Sequence, residues 1–111
     1  MGTNYYAVPN RPSTKEPIHI GKSSWGWRFL FEYQDENWNE PPVVWHNYEE
    51  VKEWLQKYTV DSKAFVIMNE YDEIVPYAEF LDLVEQKQKE PLHDIHEDIV
   101  DGYRFTKGWF C

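Results

Sequence analysis

From Trp25 to Tyr33 every second residue is aromatic: Trp25, Trp27, Phe29, Phe31 and Tyr33 alternate with Gly26, Arg28, Leu30 and Glu32. A period of two belongs to a β-strand, whose successive side chains point to opposite faces. The stretch therefore reads as one strand with an aromatic face, and that face is the expected core of the fold. Just upstream, Ile18 and Ile20 alternate with His19 and Gly21, giving a second short strand, and the polar Gly21-Lys22-Ser23-Ser24 segment between the two reads as a turn. The expected unit is a hairpin with a Gly-Lys-Ser-Ser tip.

Residues 4–8 read as a first strand ended by Pro9, and residues 10–16 as a loop. Residues 35–42 form a polar loop with one aromatic, Trp38, followed by a brief edge strand at residues 43–45. Asn47 has the character of a helix N-cap, because Glu50 stands three residues on as the partner of a capping box. The helix over residues 48–58 places Tyr48, Val51, Trp54, Leu55 and Tyr58 on one stripe and Glu49, Lys52, Glu53 and Lys57 on another. Residues 64–68 are a continuous apolar run, expected as an inner strand, with Ile74-Val75 returning antiparallel. Pro76 suits the first turn of a second helix over residues 77–89, with Lys87 and Lys89 in its last turn. Read as a helix, residues 92–101 carry Asp94, Glu97, Asp98 and Asp101 as a continuous acidic stripe, and residues 103–106 form a final strand. The order of elements predicts an α+β fold: a mainly antiparallel sheet with two main helices packed on it, in a single small domain spanning residues 1–111.

Twenty of the 111 residues are aromatic, six of them Trp, so the chain has enough bulky apolar groups to fold without staples. The one cysteine, Cys111, leaves no intrachain disulfide, and no apolar run approaches the roughly 18 residues of a membrane span. The opening residues lack the order of a signal peptide, and Tyr6 stands where a myristoylation signal needs Ser or Thr, so a cytoplasmic site of action without a membrane is expected. The net charge of −9 is unevenly placed: residues 1–34 carry four basic residues against two acids, and residues 35–111 hold a balance of −11. Such a surface repels nucleic acid and is drawn to basic protein surfaces.

Two sets of side chains are candidates for function. The first is a partner-binding surface made of Asp35, Glu36, Trp38 and Glu40 in the polar loop with Asp94, Glu97, Asp98 and Asp101 in the tail, since a Trp in a polar rim is the usual form of an interface anchor. The second is an anion or nucleotide contact by Lys22, Ser23, Ser24 and Arg28. A full phosphate loop is excluded, because Glu16 occupies the position of its first Gly and a strand, not a helix, follows. His93 and His96 with Asp94 or Glu97 are too few for a metal site, and no Ser or Cys stands in the context of a nucleophile. No cofactor, metal or catalysis is expected.

The chain resembles an uncharacterised family of small phage-encoded proteins. The resemblance lies in Met-Gly-Thr-Asn-Tyr-Tyr at residues 1–6, His-Ile-Gly-Lys-Ser-Ser at 19–24, Gly26-Trp27 and the aromatic Phe29, Asn69-Glu70-Tyr71, and Gly-Tyr-x-Phe at 102–105. It implies a phage or prophage origin, with action inside an infected or lysogenic bacterial host. Relatives often have two cysteines, two residues apart, before the His-Ile-Gly segment; residues 10–16 have no thiol here, so a metal role is not carried over. The function expected is an accessory protein that binds and blocks a host protein of a nucleic-acid-processing or defence complex through its acidic surface. The alternative is a small-molecule domain that holds a phosphate-bearing signal or nucleotide at the Gly-Lys-Ser-Ser segment. The sequence leaves the oligomeric state open.

Overall fold

The computed structural model describes residues 2–10, 17–24, 28–36, 42–90, 98–100 and 102–106. Their elements are β1 (Gly2–Pro9), β2 (Ile18–Ser24), β3 (Leu30–Glu32), β4 (Gln34–Glu36), β5 (Val43–Trp45), α1 (Tyr48–Leu55), β6 (Phe65–Asn69), α2 (Tyr77–Lys87), β7 (Asp98–Val100) and β8 (Tyr103–Thr106). Six strands form one sheet in the order β6-β1-β2-β3-β8-β7, and β4 and β5 form a separate ribbon. All neighbours are antiparallel except β3 and β8, which run parallel. The architecture is α+β, as the order of elements predicts.

Both helices cover the same face of the sheet. Phe80 of α2 meets Tyr5 at 5.6 Å and Phe29 edge-on at 5.4 Å, while from α1 Trp54 meets Phe65 at 5.2 Å and Tyr48 meets Phe31 at 5.7 Å. Phe29 and Phe31 are fully buried, as their alternation predicts, and Phe31 stacks at 5.0 Å on Phe105, its register partner across the parallel pair. Ala7, Ile20, Ile67, Val51, Leu55 and Val84 close the layer. These rings prefer the tilted and offset geometries seen here, which add to the stabilisation from area burial alone.

The Gly-Lys-Ser-Ser segment is strand, not turn. It pairs along its length with the start of the chain, Asn4 opposite Lys22, Thr3 opposite Ser23 and Gly2 opposite Ser24. Gly21 lies in the row Tyr5-Gly21-Phe31-Phe105, where a Cβ would stand 2.5 Å from the Phe29 ring and 2.3 Å from the Leu30 carbonyl oxygen. The glycine is there to admit a ring. A bulge between Tyr5 and Tyr6 accommodates the extra residue of β2.

Four further expectations are corrected. Of the strand expected from Trp25 to Tyr33, only Leu30–Glu32 is strand among the described residues 28–33, and Trp25, Gly26 and Trp27 lie outside the described residues. The apolar run of β6 is an edge strand, not an inner one. Its outer side is protected by the chain's own return: Val75 N–H donates to Ile67 O at 2.8 Å, Asn69 N–H donates to Glu73 O at 3.0 Å, and Met68 bridges Ile74. The polar loop begins as strand, because Gln34, Asp35 and Glu36 pair with β5. Residues 98–100 are strand β7, hairpin-paired with β8 around Gly102 at φ +85°, so the helical acidic stripe does not extend through Asp98.

The helices start as predicted. Asn47 Oδ1 accepts from Glu50 N–H at 2.8 Å, and Glu50 Oε1 accepts from the backbone N–H of His46 at 2.8 Å, one residue before the reciprocal position of a capping box. Pro76 precedes α2 with φ −58°, already suited to the helix. α1 is shorter than its periodicity implies and widens after Leu55 into a π-helical segment, Gln56–Asp61, closed by Ser62 N–H to Lys57 O at 3.0 Å. No helix among the described residues is long and apolar enough to cross a membrane.

Candidate functional site

Charge is segregated on the outer surface. Among the described residues ten carboxylate side chains are exposed, against three exposed lysines, Lys57, Lys63 and Lys89. Glu49 and Glu53 lie on α1, Glu79, Asp82 and Glu85 on α2, and Glu70, Asp72 and Glu73 in the turn after β6. The helical layer therefore faces solvent as a negatively charged surface.

Within this layer α1 forms a cleft of about 230 Å³ lined by Val44, Glu50, Glu53, Trp54, Lys57 and Tyr58. The five helical members stand at i, i+3, i+4, i+7 and i+8, one stripe of the helix. In the π-helical continuation Tyr58 lies alongside Trp54, ring centroids 4.7 Å apart, half-buried and packed against the core. Trp54 donates its indole N–H to Pro42 O at 2.9 Å, and this bond ties the entry of β5 to the cleft wall. Asp35, exposed on β4, pairs with Val44 on that wall. Lys57 holds its ammonium 5.4 Å from the Tyr58 ring centre, so the cleft's aromatic wall already carries a cation.

A second cluster lies where α1 and α2 meet β8. Tyr48 and Tyr103 stack at 4.2 Å, the Tyr48 hydroxyl donates to Glu85 at 3.3 Å, and Tyr77 donates to Lys52 O at 3.2 Å. Lys52 sits 4.7 Å over the Tyr48 ring and pairs with Glu49 at 2.8 Å. Burial first, and then the charge of Glu85, push the phenol of Tyr48 far above the ordinary tyrosine value; Tyr103 is raised by the same two causes in the same order. Lys52 is raised by its hydrogen bond to Glu49, which outweighs its desolvation.

On the sheet's other face His19 is held between acceptors. Its Nδ1 lies 2.8 Å from Glu32 Oε1 and its Nε2 lies 2.9 Å from Asn4 Oδ1, while the Asn4 amide donates to Glu70. Gln34 donates to both His19 O and Glu32. The sequence reading missed this network, since its members are distant in the chain and only the pairing of β1, β2 and β3 aligns them.

The predicted residues divide as follows. Asp35 is exposed beside the cleft, Glu36 lies in β4 and Asp98 in β7. Trp38, Glu40, Asp94, Glu97 and Asp101, with His93 and His96, lie outside the described residues. Lys22, Ser23 and Ser24 belong to a strand paired on both β1 and β3 through Lys22, so their backbone is engaged in ladders and forms no phosphate-cradling loop. Arg28 is a structural clamp: it donates to Glu90 O at 2.8 Å and Gly102 O at 3.0 Å, joining the end of α2 to the β7–β8 turn. Among the described residues no group of three or more His, Cys, Asp or Glu is placed to hold a metal ion. Comparison with family models, with curated proteins and with solved structures finds no match, so the geometry of the chain itself carries the functional argument.

Proposed function

We propose that this protein is a non-catalytic phage accessory protein that binds a basic, nucleic-acid-handling surface of a host protein and blocks it. The observation that carries the reading is the ten exposed carboxylates against three exposed lysines among the described residues, with five of those acids on the two helices. A rigid, negatively charged layer of this kind competes for the groove that a nucleic acid would occupy, and its attraction acts over about 8 Å at physiological ionic strength. The phage origin rests on the resemblance at residues 1–6 and 19–24. Its site of action is then the cytoplasm of the infected host.

The test is retention of host proteins on the immobilised chain at low salt, followed by the nucleic-acid affinity of each retained protein with and without the chain. Expected is one host complex released at about 1 M salt, where screening shortens to about 3 Å, whose DNA or RNA affinity falls when the chain is added. A variant with Glu49, Glu53, Glu79 and Asp82 changed to their amides should retain it less. Binding that is indifferent to salt and to these amides refutes the reading.

A further inference from the structure

The cleft on α1 has a more specific chemistry than general negative charge. We infer that it receives an arginine side chain of the basic partner, its guanidinium lying against the Trp54–Tyr58 wall and donating to the carboxylates of Glu50 and Glu53. The inference rests on the proposed function and names the contact that function would use.

Three features of the cleft support this. Its walls combine an aromatic pair, ring centroids 4.7 Å apart, with two carboxylates one helical turn apart. A planar guanidinium satisfies both, stacking on a ring with its face and donating in the plane with its edge, whereas an ammonium can do only one of these well. The volume of about 230 Å³ accommodates a side chain. Finally, the chain's own Lys57 stands over the Tyr58 ring, so the wall accepts a cation, and that cation is a long, exposed side chain that an incoming group can displace. Glu50 keeps one oxygen on the His46 N–H and has the other to offer.

The test uses the intact protein and two peptides of equal charge, hexa-arginine and hexa-lysine, with affinities measured by calorimetry at low salt and the Trp fluorescence followed in parallel. Hexa-arginine should bind about five- to tenfold tighter than hexa-lysine. Glu50→Gln with Glu53→Gln, and separately Tyr58→Leu, should remove that preference, and Lys57→Ala should strengthen hexa-arginine binding. Glu79→Gln with Asp82→Asn removes the same charge from α2 and should weaken both peptides equally, leaving the preference intact. Circular dichroism melts establish that each variant is folded, and Gln at position 50 can still accept from His46. Equal affinity for the two peptides, or a preference that survives the cleft variants, overturns this inference while leaving the acidic-surface reading in place. No binding of either peptide at low salt overturns both.

Discussion

Replacing Gly21 by Ala separates packing from ligand chemistry in the Gly-Lys-Ser-Ser segment. The added methyl would stand 2.3 Å from the Leu30 carbonyl oxygen and 2.5 Å from the Phe29 ring. Neither neighbour can yield easily. The carbonyl belongs to the β2–β3 ladder, and the Phe29 ring is fully buried against Tyr5, Phe31 and Phe80. Overpacking a well-filled core costs about 1–3 kcal/mol, and two immovable neighbours place this case at the upper end. Restricting the unfolded chain returns about 0.4–1 kcal/mol, so a net loss of about 2 kcal/mol is expected. At about 4 °C per kcal/mol for a domain of this length, the melting temperature should fall by about 8 °C. Lys22→Ala, which removes a half-buried strand side chain, should cost no more than about 0.5 kcal/mol. Thermal melts followed by far-ultraviolet circular dichroism measure both. A Gly21→Ala protein melting within about 2 °C of the parent would refute the packing account of this glycine.

Two other predictions concern the fold. Arg28→Ala removes two charge-assisted hydrogen bonds to main-chain carbonyls, those of Glu90 and Gly102, and should lower stability in urea by about 2–4 kcal/mol; Arg28→Lys, with a single compact ammonium, should recover less than half of that, and a loss below about 0.5 kcal/mol would show that the clamp is ornamental. Tyr5, Tyr48, Tyr77 and Tyr103 all have phenols raised above the ordinary value, chiefly by burial. Raised phenols bind protons more tightly in the folded state, so the stability they contribute is present below pH 10, near the unfolded value, and is lost as pH rises through the folded ones. Absorbance at the phenolate band should therefore show these four titrating late, together with alkaline unfolding; four phenolates forming at the ordinary pH without loss of fold would contradict the burial seen here.

What was legible in the sequence was local. Asn47 with Glu50, Pro76, and the alternation of Phe29 and Phe31 each specify their structure within a few residues, and each is found as expected. What was not legible depends on partners far along the chain. Gly21 to Ser24 carry turn-like residues, yet residues 2–5 supply a complete antiparallel neighbour, and tertiary pairing overrides the weak local preference. Asp35 and Glu36 are poor strand formers that become strand because Val43 and Val44 lie opposite. In the tail the acids are spaced as in a helix, but Asp98 belongs to β7, which pairs antiparallel with β8, and Gly102 at φ +85° stands before β8. For the cleft, the periodicity of α1 puts Trp54 and Tyr58 on one stripe and Glu53 and Lys57 on another, with Glu50 as a capping partner, so their meeting at one cleft was not legible. How much of each ring stays uncovered depends on the core packed around Trp54 and Tyr58, which no spacing within residues 48–58 reports.

The acidic layer and the cleft act at different distances, and this sets what each can contribute to recognition. Carboxylates on α2 and in the turn after β6 are exposed to solvent, where a single surface ion pair is worth about 0–1 kcal/mol. Their sum orients and accelerates the encounter with a basic surface, but it does not discriminate among such surfaces. Discrimination needs a contact that only one chemistry satisfies. Trp54, buried and anchored to Pro42, and Tyr58, half-buried, give the cleft a rigid wall that loses little freedom when it is covered. The carboxylates at its rim face a group already in contact with a ring, where part of the solvent has been displaced and each charge counts for more than on open surface. Replacing acids outside the cleft should thus act on the association rate and its salt dependence, and replacing Glu53 or Tyr58 on the dissociation rate.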